Sequence, residues 1–111
     1  MQTDIRPILE EAARSGGLLT YQELAQRAGF PPPHTIHKTT TALEALMAED
    51  HAAGRPLLAA LVVSKATGVP APGFFGCLTT LGRYFGDDRG AQAERHWRRE
   101  LEAVQTAYGV G

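Results

Sequence analysis

The stretch His34-Thr35-Ile36-His37-Lys38-Thr39-Thr40-Thr41 gathers two imidazoles, several hydroxyls and an ammonium without a single acid. At the start of a helix such groups suit phosphate oxygens. Hydroxyls and free N–H groups donate, and the helix dipole adds positive potential. The acids that follow, Glu44, Glu49 and Asp50, come turns later. Arginine, the commonest reader of guanine, is missing here, so the same residues could also just solvate a helix start. Imidazoles gain charge as pH falls, which predicts tighter duplex binding at mildly acidic pH. Lys65 and Thr67 precede Gly68 and offer a weak backbone contact or a solvated turn. Arg95, Arg98 and Arg99 around Trp97 could hold phosphate, but Glu94, Glu100 and Glu102 make a charged solvent face the better reading. Glu94–Arg98 has the supportive spacing of four.

Catalytic patterns are poor. Cys77 has no histidine close in sequence and reads as a small buried residue. His34, His37 and His51 lack the tight fourth ligand of a zinc site. Asp87-Asp88 reads as a turn, and no glycine-rich phosphate loop is present. No cofactor and no metal are expected.

The elements that position these residues are punctuated by glycine and proline. Asp4 to Ser15 predicts a first helix through Ile5, Ile8, Leu9 and Ala12, with Pro7 tolerated in the first turn and Gly16-Gly17 ending it. Leu18-Leu19 is a strand stub or core anchor. Thr20-Tyr-Gln-Glu23 is a capping box that opens a second helix, which Gly29 stops. Phe30-Pro31-Pro32-Pro33 is a stiff link. His34 or Thr35 caps a third helix to about Ala53, with Ile36, Thr40, Leu43 and Leu46 or Met47 as its buried stripe. Leu57 to Ser64 predicts a strand and Val69 to Phe75 a return strand. Pro70 and Pro72 confine the latter to an edge. A short helix over Cys77–Phe85 and a last one over Ala91–Tyr108 complete the order.

That order implies an α+β, mostly helical fold: a winged helix-turn-helix with a β-hairpin wing and an added C-terminal helix. It reads as one domain over residues 1–111, with residues 76–111 as a helical extension. The 111 residues carry 11 Lys+Arg against 12 Asp+Glu, a net charge of -1, so nucleic-acid binding would need a local patch rather than bulk charge. One cysteine excludes an internal disulfide and fits a reducing compartment. The longest apolar run, Leu57–Val63, is far below the ~20 residues of a membrane helix. With no cationic and apolar leader at Met1, a cytoplasmic location is expected.

The segment Leu18–Phe74 resembles the winged-helix DNA-binding domain of the alkylguanine DNA alkyltransferases. The resemblance is carried by Thr20-Tyr21-Gln22-Glu23-Leu24-Ala25, by Ala28-Gly29, and by Val62-Val63 leading to Gly68. It implies a DNA-binding scaffold. It also implies a role for Tyr21, matching the family's tyrosine that helps rotate a nucleotide out of the duplex. Two departures matter. Leu58-Ala59-Ala60-Leu61 stands where the family has a Pro-Cys-His-Arg block with the alkyl-accepting cysteine, so alkyl transfer is not expected. The family's arginine finger falls near His37, which is shorter.

The expectation is a non-catalytic winged-helix protein that binds double-stranded DNA through Tyr21, His34, Thr35, His37, Lys38 and Thr39, with Lys65 on the wing. The alternative is a protein-binding module, such as a phage-borne inhibitor of a bacterial defence system or an immunity protein. In that case a protein partner or self-association would use the same scaffold. Neither reading involves a membrane.

Overall fold

The computed structural model describes residues 4–109. Its elements run α1 (Arg6–Ser15), β1 (Leu19–Thr20), α2 (Tyr21–Ala28), α3 (Thr35–Ala52), a 3-10 turn (Leu58–Leu61), β2 (Val62–Val63), α4 (Pro72–Thr80) and α5 (Ala91–Tyr108). The fold is mostly helical with one small two-stranded sheet. Local chemistry sets the boundaries of α1 and α2. Thr20 Oγ1 accepts from Glu23 N–H at 3.1 Å, and Glu23 Oε1 accepts from Thr20 N–H at 2.9 Å, which completes the capping box. Gly16 and Gly29 end these helices at φ 75° and 71°, a region that costs glycine nothing.

The expected β-hairpin wing does not form. Only Val62-Val63 of the anticipated 57–64 strand is extended, and it pairs in parallel with β1, Leu19 opposite Val62 and Thr20 opposite Val63. Leu58-Ala59-Ala60-Leu61 coils instead into a buried 3-10 turn, closed by Ala60 N–H donating to Leu57 O at 3.0 Å and anchored at its start by Leu58 N–H donating to Asp50. Nor does Val69–Phe75 return as a strand. Ser64 N–H donates to Val69 O at 2.8 Å and Gly68 N–H to Ser64 O at 2.8 Å, closing a tight turn with Gly68 at φ 76°. Pro70 and Pro72 have no N–H for a ladder, and Pro72 sits in the first turn of α4, where none is needed. Helix α4 therefore spans Pro72–Thr80 rather than the expected 77–85.

The 3-10 turn is the middle of the core, packed by α1, α3 and α5. Residues 76–111, anticipated as an extension, include core members. Leu78, Ala93, Trp97 and Val104 are buried in the same cluster as Leu9, Leu24 and Leu43. Trp97 Nε1–H donates to Ala60 O at 2.8 Å, fixing α5 to the turn. The α3 stripe is Thr39, Leu43, Leu46, Met47 and Asp50. Ile36, one turn before it, projects past the core and is 44% exposed.

Two buried carboxylates tie the layers together. Asp50, fully buried, accepts from Arg6 Nη1 at 2.7 Å, from Arg55 Nε at 3.0 Å and from Leu58 N–H at 3.3 Å. Glu100 takes a two-pronged contact from Arg83, 2.7 Å to Nη2 and 3.1 Å to Nε, and meets His96 Nε2 at 3.0 Å. Burial alone would push the Glu100 carboxyl up. The hydrogen bonds and charge of Arg83, joined by His96, outweigh it and hold the carboxyl below its ordinary value. At the surface, Arg98 meets Glu94 at 2.9 Å, the pairing that the spacing of four predicts.

Replacing Asp50 with Ala strands the Leu58 N–H and two guanidiniums, so urea unfolding should report a loss of about 3 kcal/mol. A loss under about 1 kcal/mol would show that the turn is held without it. Glu100 makes stability depend on pH. Its folded value lies below the unfolded one, so its contribution is complete above the usual range of about 4.3 and is lost as pH falls through the folded value. Glu100→Gln should cost about 2 kcal/mol at pH 7, less than a fully buried pair because Arg83 keeps contact with water. Its stability should then fall less steeply than wild type below about pH 4. Parallel acid profiles would contradict the assignment.

Candidate nucleic-acid interface

The link Phe30–Pro33 delivers the chain to His34, which adopts a left-handed conformation at φ 63°, ψ 39° and turns it into α3. His34 provides no side-chain cap, so the first N–H groups of α3 have no side-chain acceptor there. His34, Ile36, His37 and Thr41 are exposed, and Thr35 is half-buried. Among the described residues no ion pair involves any position from His34 to Thr41. Lys38 is half-buried and its Nζ donates to Pro31 O at 2.8 Å. An ammonium has three donors, so this bond fixes the amine beside the link and leaves two free.

Not every residue of the anticipated set shares this surface. Thr39 points inward, fully buried, and its hydroxyl donates to Thr35 O at 2.8 Å. A side chain so enclosed offers nothing to a ligand, which removes Thr39 from the contact set. Tyr21 is half-buried and reaches from α2 to the strand-like link before α4, where its hydroxyl accepts from Ala71 N–H at 2.9 Å. Burial pushes its phenol up, against the lowering effect of that N–H. The ring lines a cavity of about 20 Å³ with Thr40, Leu43, Glu44 and Met47, facing the middle of α3 rather than its start. Lys65 is exposed in the Ser64–Val69 turn. Its charge reaches Glu23, whose carboxyl is held low first by the Thr20 N–H and then by the Thr20 hydroxyl, with Arg27 and Lys65 adding smaller effects.

No protein-family model, curated protein or solved structure matches this chain significantly. Its chemistry is therefore read from its own side chains. Cys77 is half-buried on α4, and burial, with Glu44's charge added, pushes its thiol up and away from the reactive thiolate. Among the described residues no group of three or more His, Cys, Asp or Glu side chains is placed to hold a metal. No described helix is long and apolar enough to cross a membrane.

Two features escaped sequence reasoning. One is the polar cluster in which Arg83 joins Glu100 and also meets His51 Nδ1 at 3.2 Å. Its members come from α3, the loop after α4 and α5, at separations that no local pattern encodes. The other is an open groove of about 780 Å³ along α3. Ile5, Phe30 and Pro31 line it from outside the helix, and Thr41, Ala42 and Ala45 line it from α3. His37 and Lys38 belong to it at the start of the helix, Glu49 near the end. The only hint in the sequence is the small size of residues 41, 42 and 45.

Proposed function

We propose that this chain is a non-catalytic, winged-helix-like DNA-binding protein in which α2 and α3 form the helix-turn-helix. The start of α3 meets the duplex, and the Ser64–Val69 turn takes the place of a wing. The observation that carries this reading is the acid-free opening of α3, where His34, His37 and Thr41 are exposed, Lys38 is half-buried and none of the four enters an ion pair among the described residues, while the first acid, Glu44, comes turns later. Phosphate oxygens are matched there by unpaired N–H groups, by two remaining ammonium donors and by the helix dipole. Thr35, partly covered, contributes its edge of the same surface, and Lys65 supplies the second cationic point.

The resemblance to the alkylguanine DNA alkyltransferases supports the scaffold and not the chemistry. The place of the family's acceptor cysteine is held by the buried apolar turn Leu58–Leu61, and Cys77 is a protonated, half-covered thiol elsewhere. The tie from Tyr21 to Ala71 suits a structural role for this ring. With few cations available, binding is weak and dominated by the backbone.

Fluorescence anisotropy with a labelled 20-base-pair duplex tests this. Affinity should fall steeply between 50 and 200 mM salt. Lys38→Glu should weaken binding about tenfold on any sequence and reduce the salt slope by about 1. Lys65→Glu should do the same to a smaller extent. Unchanged affinity in both variants would place the interface elsewhere, and the absence of any duplex binding at 50 mM salt would end the proposal.

A further inference from the structure

The groove along α3 has properties that the duplex does not explain. Phe30, Pro31, Ala42 and Ala45 give it an apolar lining, over a floor made by the buried Ile5 and Leu46. Its two ends carry opposite charge. At the start of α3 stand Lys38 and His37, reinforced by the positive end of the helix dipole. At the other stand Glu49 and Asp4, brought together by Arg6, whose Nη2 meets Glu49 at 3.4 Å and whose backbone N–H donates to Asp4 at 3.0 Å; the guanidinium is held more closely by Asp50, at 2.7 Å, so this end keeps an excess of carboxylates. A phosphate chain running the length of this groove would meet two carboxylates, so only its first part suits DNA. From His37 to Glu49 is about 18 Å at 1.5 Å per residue, the span of a three-turn helix. Thr41, Ala42 and Ala45 are short side chains, and short side chains allow close helix–helix approach.

We propose that this groove is a docking site for an amphipathic α-helix of a partner protein, lying antiparallel to α3. The partner's apolar stripe rests on Phe30, Ala42 and Ala45. Acidic residues in its last turn meet Lys38 and His37, and basic residues in its first turn meet Glu49 and Asp4. The antiparallel sense follows from charge, because the negative end of the incoming helix dipole then lies over the cationic start of α3. The site overlaps the proposed DNA surface at His37 and Lys38, so the helix and the duplex exclude each other. The groove itself does not depend on the DNA reading.

The test is an amide chemical-shift titration of the whole chain. One probe is a synthetic 14-residue helix with leucines at helical spacing, two lysines in its first turn and two glutamates in its last. The other is the same peptide with those charges exchanged. The first should shift His37, Ala45 and Glu49 and bind at least tenfold more tightly than the second. Ala45→Arg, at an exposed position, should abolish the shifts while leaving the thermal unfolding midpoint in place. A double variant, Lys38→Glu with Glu49→Lys, should reverse the peptide preference. Absent shifts, shifts scattered over other faces, or equal affinity for the two peptides would overturn the proposal. These titrations contain no DNA, so their failure is separable from failure of duplex binding. Adding the 20-base-pair duplex to the peptide complex should displace the peptide, and simultaneous binding of both would refute the overlap.

Discussion

A carboxylate with no contact to water organises this molecule. Burying a charge is costly unless it is paired and hydrogen-bonded, and Asp50 meets that condition through Arg6 from α1, Arg55 beyond α3 and the Leu58 N–H that opens the 3-10 turn. Those bonds tie α1, 44 residues away in sequence, to the end of α3 and to the turn that follows it. They seat the turn in the core, which sets Val62-Val63 beside β1 and presents the Ala60 carbonyl to Trp97. A buried ion pair is weak evidence for net stability, and an apolar replacement of the whole group can match it. What Asp50 adds is a requirement on geometry, because few arrangements satisfy all of its partners at once.

Much of the helical frame was legible in the residues. The capping box at Thr20 and Glu23 and the glycine stops at Gly16 and Gly29 follow local rules that tertiary packing does not overturn here, and α3 and α5 run close to their expected extents although neither opens on a side-chain cap. The middle of the chain was harder. Leu57–Val63 is apolar throughout, and a run buried on every side has no periodicity to separate strand from turn. Pro70 and Pro72 fit an edge strand and a helix opening equally well, and the distinction came from the Ser64–Val69 closure. At the candidate site, residue type told less than direction. Thr39 and Thr41 look alike in sequence, yet one lies beneath the helix with its hydroxyl turned back on Thr35 and the other faces solvent. The pairings Arg6–Asp50 and Arg83–Glu100 were not readable, because contacts 44 and 17 residues away leave no spacing signal, whereas His96–Glu100 has the ordinary helical spacing of four.

The near-zero net charge makes the local arrangement of charge decisive. Many of the charges are consumed internally: Arg6 and Arg55 at Asp50, Arg83 at Glu100, Arg98 at Glu94. The opening of α3 is set apart because no ion pair among the described residues involves it. The groove beside it adds an apolar floor and an acidic far end, features that suit a polypeptide better than a polyanion. On the two proposals above, one set of residues would serve two classes of partner, and occupancy by either would exclude the other.

The chain contains a single tryptophan, seated where α5 meets the inner turn and only 4% exposed. Indole emission shifts to the red when water reaches the ring, so this residue acts as a built-in optical gauge of whether the last helix is docked. Because its N–H is held by a carbonyl of the turn that Asp50 seats, loosening at either place should register in the same spectrum without any added label.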